Sequence, residues 1–179
     1  MTRTVTRSYD DYATASAVVE ALETAGFSPD DVSLIGRPDG DVDDSNAEEG
    51  AGIGAGIGGA AGLLAGLGMI AIPGIGPVVA AGWLAATAAG AAAGAVAGGV
   101  IGAMTSAGVD AKDAHFYAES VRRGGSVVSV RAADARAAEA EAIMDRAAPI
   151  DIATRRADYE REGWTQFDAN ATPYTRPTI

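Results

Sequence analysis

The chain has 179 residues, enough for one domain of ordinary size with an insertion. Its net charge of −11 disfavours nucleic acid as a partner, because nucleic-acid surfaces need concentrated positive charge. It has no cysteine, which excludes disulfides, zinc–cysteine sites, iron–sulfur ligation and a thiol nucleophile, and agrees with a reducing compartment.

Segment 1–37 predicts a first strand–helix–strand unit. The stretch TRTVTRSY alternates and is rich in β-branched residues, which is typical of a strand, and DVSLIGR predicts a second one. Asp10 and Asp11 are candidate N-caps for the helix between them, and Gly26 is placed to end it. We expect the apolar face of this helix at Ala13, Ala17, Ala21, Leu22 and Ala25. The charged opening residues do not resemble a secretory signal.

Segment 38–49 is an acidic linker that superficially matches a calcium-binding loop. Asp39, Asp41 and Asp43 have the first three spacings of an EF-hand. The pattern then fails, because Asp44 stands where the loop needs glycine and Gly50 where it needs glutamate. We therefore predict a solvated linker and no metal site.

Segment 50–109 contains no charged residue, and glycine recurs at every fourth position from 50 to 66 and, apart from Ala86, from 82 to 102. Because residues four apart share a helix face, the sequence predicts two helical arms with smooth sides, joined by the helix-breaking IPGIGP at 72–77. With about 23 and about 27 residues, each arm is long enough to cross a ~30 Å hydrocarbon layer. The positions predicted to mediate self-association are Gly50, Gly54, Gly58, Gly62, Gly66, Gly82, Gly90, Gly94, Gly98 and Gly102.

Glycine inside a helix costs ~0.5–1 kcal/mol relative to alanine, so this glycine zipper is useful only if something packs into the groove. A flexible Gly/Ala linker, a membrane-inserted hairpin and an oligomer with bundled hairpins remain as interpretations. We favour the membrane hairpin, which predicts a membrane-associated protein with a cytoplasmic domain, the alternative location being the cytoplasm. The weak hydropathy of Gly and Ala and the acidic flanks count against insertion.

Segment 110–156 predicts an extra helix and a second half like the first. DAKDAHFYAESVRRGG has a helical apolar face, made of Ala114, Tyr117, Ala118 and Val121, and ends at Gly124-Gly125. GSVVSVRA predicts a strand, Asp134 a cap, and IDIATRR, after Pro149, a returning strand. The expected apolar face of the helix after Asp134 consists of Ala138, Ala142, Ile143, Met144 and Ala147. Two βαβ halves predict an α+β fold of ferredoxin-like type, interrupted by the long helical hairpin.

The sequence does not indicate a catalytic, cofactor or metal site. His115 is the only histidine, and no nucleophile or carboxylate pattern accompanies it. The glycines at 52–57 match a dinucleotide fingerprint only by composition, because no apolar strand precedes them. Arg122 and Arg123 suit a helix C-terminus better than an anion site. We therefore predict that the protein is not an enzyme.

The C-terminal tail, 157–179, holds four of the ten aromatic residues: Tyr159, Trp164, Phe167 and Tyr174. Two interpretations stay open for these side chains. They form a strap that packs over the sheet, or they anchor a partner or a second subunit, since aromatic residues are common interface anchors.

Three stretches of the chain resemble bacterial general stress proteins of the heat-induced YflT-like and low-temperature-induced group. They are TRSYDDYATASAVVEALETAGFSPDDVSLIGR, HFYAESVRRGGSVVSVRA and DYEREGWTQFD, and the most specific mark is the turn Arg122-Arg123-Gly124-Gly125. The resemblance implies paired βαβ halves, in some members a glycine-zipper hairpin, a link to stress response, and no catalytic residues. It does not account for the acidic linker.

Together these observations predict a non-enzymatic stress-response protein that forms homo-oligomers through its glycine-zipper hairpin, at or in a lipid bilayer. The alternatives are a soluble homo-oligomeric scaffold with the hairpins in its core, and a module that senses a small ligand.

Overall fold

The computed structural model describes residues 1–38, 68–72, 75–92, 99–171 and 174. Its strands are β1 (Thr2–Tyr9), β2 (Val32–Gly36), β3 (Gly68–Ile72), β4 (Gly76–Gly82) and β5 (Ser126–Ala133). Its helices are α1 (Tyr12–Thr24), α2 (Trp83–Ala92), α3 (Gly99–Ser106), α4 (Ala111–Arg122), α5 (Asp134–Asp145) and α6 (Ile152–Arg161). The strands form one antiparallel sheet in the order β1-β5-β2-β4-β3, which confirms the predicted α+β class.

The first unit, β1–α1–β2, follows the sequence closely. Asp11 caps α1, because its carboxylate accepts a hydrogen bond of 2.7 Å from the Thr14 amide, and Gly26 follows the helix with φ +85°. The predicted apolar face is correct at Leu22, which is buried, and at Ala25, which packs against the core, but it is wrong at the other three alanines. Ala13, Ala17 and Ala21 are exposed, and the buried side chains are Ala15, Val18, Val19 and Leu22. Valine and leucine bury more apolar area than alanine and so decide which side faces the core.

β5 lies between β1 and β2, so the β1–α1–β2 unit is split by a strand from the far end of the chain. Val130 pairs with Val5 on one side and with Val32 on the other. A split βαβ unit of this kind occurs in ferredoxin-like folds.

The second half departs from the predicted plan after α5. IDIATRR is not a strand: α6 begins at Ile152, and Asp151 caps it by accepting a 2.7 Å hydrogen bond from the Thr154 amide. Helix α5 begins at Asp134 itself, with no side-chain cap at Ala133. Its buried residues are Ala137, Ala140, Ile143 and Met144, whereas the predicted Ala138 and Ala142 are exposed. The second βαβ half therefore does not form, and the described part of the sheet has no fourth strand beside β1.

The predicted long helical arms are also wrong where segment 50–109 is described. Residues 68–72 and 76–82 form the antiparallel pair β3–β4, which extends the sheet beyond β2. The remainder of the second arm is divided between α2 and α3, which pack against each other. Short runs rich in Ile and Val between glycines and prolines suit strands, and the four-residue glycine period concealed this. Residues 39–67 and 93–98 lie outside the described residues.

A membrane-spanning helix was predicted, and within the described ranges none is long and apolar enough to cross a bilayer. The longest described helix of segment 50–109 is α2, with 10 residues. At 1.5 Å per residue it is about 15 Å long, roughly half of the hydrocarbon thickness.

Helices cover both faces of the sheet and form two cores. α1 and α5 pack on one face, around residues such as Leu34 and Val128. α2, α3, α4 and α6 pack on the other, around residues such as Ile35 and Val127. This explains why every residue of β2 is buried, since a strand covered on both sides has no solvent-facing alternation.

Candidate functional site

The glycines predicted to mediate self-association lie in different kinds of element. Gly82 ends strand β4 with φ +80°, Gly90 lies in α2, and Gly102 lies in α3. They therefore do not form one helical stripe. Seven more positions fall outside the described residues: Gly50, Gly54, Gly58, Gly62, Gly66, Gly94 and Gly98.

Helices α2 and α3 nevertheless keep a bulky side and a small side. Leu84, Val100 and Met104 are buried in the core beneath them, at 0%, 5% and 1% exposure. Ala86 and Gly102 are exposed, and a Cβ atom at Gly102 would meet nothing within 4 Å. The bulky side chains thus pack on this chain's own sheet, and small residues face outward.

The turn Arg122-Arg123-Gly124-Gly125 ends α4 in a Schellman motif. The Gly124 amide donates to the Val121 carbonyl at 3.0 Å and the Gly125 amide to the Ser120 carbonyl at 2.9 Å. Gly124 has φ +97°, which a side chain would strain. At Gly125 a Cβ would lie 2.8 Å from the Ser120 hydroxyl and 3.0 Å from the Tyr9 carbonyl oxygen, so the chain passes too close to β1 for any larger residue.

Glu119 is a buried carboxylate that binds both arginines of this turn. Its side chain is 1% exposed. Arg122 donates to it from Nε at 2.8 Å and from Nη2 at 2.6 Å, and Arg123 donates from Nε at 2.7 Å. The arginine pair was predicted to interact with the helix dipole, and the burial of Glu119 was not predicted. The i, i+3 and i, i+4 spacings could have indicated the ion pairs.

Arg123 also joins α4 to α6 and to the tail. It binds the Glu162 carboxylate, and its guanidinium lies 4.1 Å from the ring centroid of Tyr159 and 5.0 Å from that of Tyr174. Burial lowers the pKa of Arg123, but the hydrogen bonds that it donates to Glu162 and Glu119 outweigh burial and raise the pKa, so the group stays charged. The arginine is thus held between two rings and two carboxylates.

Buried hydroxyl groups continue this network to strand β1. The Ser8 and Ser120 hydroxyls are 2.6 Å apart, and both side chains are buried. Burial raises the pKa of the Tyr159 phenol, with opposing effects from Arg155, Arg123 and a hydrogen bond to Ser120. The cluster lacks an activated nucleophile with a neighbouring base, and its charges are paired with one another. Its evident effect is to fasten α4, α6 and the tail to the sheet.

The aromatic residues of the tail pack mainly inside the protein. Tyr159 and Phe167 are buried, and Trp164 is half-buried against the same core. The Phe116 and Tyr159 rings are stacked with centroids 5.7 Å apart, and Trp164 meets Tyr159 edge-on at 5.9 Å. This favours the strap over the partner anchor for these three residues, and Tyr174 lies over the two arginines.

The other sequence candidates show no assembled site. His115 is half-buried on α4, and its Nδ1 has no hydrogen-bond partner in the described part of the chain. Within that part no three His, Cys, Asp or Glu side chains are grouped to hold a metal ion. The acidic linker with Asp39, Asp41 and Asp43 lies outside it.

Comparisons with protein-family models, curated proteins and solved structures found no match. The resemblance to general stress proteins therefore stays a prediction.

Proposed function

We propose that the protein is a non-enzymatic homo-oligomer that assembles through its charge-free segment, 50–109. The observation that supports this most directly is the orientation of α2 and α3. Leu84, Val100 and Met104 are buried in the chain's own core, Trp83 and Ile101 are half-buried against it, and the small residues Ala86 and Gly102 face outward. Surfaces of small residues let two backbones approach closely, which gains van der Waals and Cα–H···O contacts.

The α+β domain serves in this proposal as a rigid carrier for the associating segment. We interpret β1, α1, β2 and β5 as part of a ferredoxin-like arrangement. β4 and β3 extend the sheet beyond it, on the β2 side. The link to stress response rests on the sequence resemblance, and the Arg122-Arg123-Gly124-Gly125 turn contributes to stability rather than chemistry.

The experiment compares native mass by size-exclusion chromatography with light scattering for matched variants. The wild-type chain should elute as a multiple of its 17.8 kDa mass. Gly102→Leu should weaken association about tenfold, equivalent to about 1.4 kcal/mol, because a large side chain fills the close contact. Gly102→Ala should weaken it much less.

Ala142→Leu is the matched control, because Ala142 is an exposed small residue on α5, outside the charge-free segment. It should leave the mass unchanged. Far-ultraviolet circular dichroism confirms that each variant is folded. A wild-type chain that stays monomeric at every concentration tested, or a Gly102→Leu variant that assembles like the wild type, contradicts the proposal.

A further inference from the structure

The two edges of the described sheet differ in charge. β1 forms one edge and carries Arg3 and Arg7, which bind Glu141 and Asp145 of α5. β3 forms the other edge with the sequence GMIAI, which has no charged residue and no proline. Charged side chains commonly protect edge strands from pairing with another chain. β1 has this protection and β3 does not.

The β3 edge is firmly attached to the domain. β4 pairs with β3 from Gly68↔Ala80 to Ile72↔Gly76, and on its other side it pairs with β2. The turn between them is fixed by buried Ile75, whose carbonyl oxygen accepts a hydrogen bond from Arg37. Among the described residues no strand pairs with the outward side of β3, and the backbone groups of an edge strand can pair with another chain.

The charge of the whole chain points to which surface two copies can bring together. A net charge of −11 makes copies repel each other wherever charged surfaces meet. β3 lies inside the sixty residues, 50–109, that carry no charge. A second copy of this chain can therefore approach the β3 edge without opposing like charges.

We propose that β3 pairs with β3 of a second copy, antiparallel across a twofold axis, so that two five-stranded sheets become one ten-stranded sheet. This inference rests on the proposed self-association and adds a second contact within segment 50–109, separate from the one at Gly102. Pairing of all five residues centres the axis on Ile70 and places Met69 opposite the partner's Ala71. The backbone supplies the hydrogen bonds, and the isologous geometry closes the assembly at this edge as a dimer.

Single cysteines test the register directly, since the natural chain has none. Opposite residues of an antiparallel pair have Cα atoms about 4.5–5.5 Å apart, inside the range that a disulfide bridges, whereas diagonal neighbours lie about 7–8 Å apart. Tagged Met69→Cys chains and untagged Ala71→Cys chains are mixed, allowed to exchange subunits and oxidised mildly. The mixed cross-linked dimer should exceed either like-with-like dimer about fivefold, because only the mixed pair lies opposite.

Thr2→Cys is the control, at an exposed position on the β1 edge, and it should cross-link only at the background rate. Wild-type chains that assemble while 69 and 71 cross-link no faster than Thr2→Cys overturn the β3 contact and leave the proposed self-association standing. In that case the β3 edge is covered by residues 39–67 of the same chain, or copies meet through α2 and α3 alone. Wild-type chains that are monomeric overturn both proposals.

Discussion

Glu119→Ala removes the one carboxylate that binds both Arg122 and Arg123. Three hydrogen bonds of 2.6–2.8 Å end on its two oxygens, and its side chain is 1% exposed. The variant therefore leaves the largely buried guanidinium groups of Arg122 and Arg123 beside a cavity. Both groups lose the Glu119 carboxylate without regaining full hydration.

The expected loss follows from that burial. Removing one partner of a buried ion pair costs about 3–5 kcal/mol. The Arg122 and Arg123 side chains keep 15% and 12% exposure, and Arg123 keeps Glu162, so we expect about 3 kcal/mol, the lower end of that range. In a chain of this size, 1 kcal/mol moves the thermal midpoint by about 2–4 °C, which predicts a decrease of about 6–12 °C.

The assay is equilibrium unfolding in urea together with thermal melting, each at low and at high salt. Asp158→Ala is the control, because Asp158 pairs with Arg161 on the exposed side of α6 and should matter by less than about 1 kcal/mol. The Glu119→Ala loss should persist in high salt, since buried pairs are screened weakly. If Glu119→Ala destabilises no more than Asp158→Ala, the carboxylate does not hold this turn together.

Two further predictions test packing and buried phenols. Gly36→Ala should lower the free energy of unfolding by about 1–3 kcal/mol, because its Cβ would lie 2.2 Å from the Ser126 hydroxyl. Adding Ser126→Gly should restore most of that loss, as measured by urea unfolding. A double variant no more stable than Gly36→Ala contradicts this. Burial raises the pKa of Tyr117 above its ordinary value, so its contribution is complete below about pH 10 and is lost as the pH rises beyond it. Tyr117→Phe should lower stability by about 1 kcal/mol at neutral pH, because it removes the hydrogen bond that the phenol donates to the Thr6 carbonyl. It should also reduce the fall of the urea midpoint at alkaline pH. An unchanged fall would show that Tyr117 is not the group responsible.

Local signals predicted the ends of the elements well. Asp11, one of the two candidates, caps α1 through its carboxylate, and Gly26 and Gly124 both follow helix ends with positive φ. These motifs act within one turn of the helix, so sequence alone is sufficient to find them. Asp151 is the same signal, and the IDIATRR strand was predicted only because the second half was expected to repeat the first.

Patterns that depend on contacts were predicted less well. Alanine at helical spacing did not identify the buried faces of α1 and α5, because neighbouring valine, leucine, isoleucine and methionine gain more by burial. Ala114, Tyr117, Ala118 and Val121 of α4 were predicted correctly, and there the larger side chains share the apolar face. The contacts of Arg123 with Glu162 and with the Tyr159 ring join α4 to residues that are distant in the sequence.

Sequence alone was sufficient to predict the α+β class and the strands and helix of the β1–α1–β2 unit. It also shows the charge-free segment and the absence of cysteine. It did so because caps, turns, alternation and charge are properties of short stretches. Three features depend on contacts between distant segments. Residues 68–72 and 76–82 join the sheet as β3 and β4, a helix after Pro149 stands in place of a fourth strand, and two arginines share one buried carboxylate. Short runs of glycine, alanine and valine are compatible with both helix and strand. Which of the two forms depends on which edges and faces of the sheet the segment can cover.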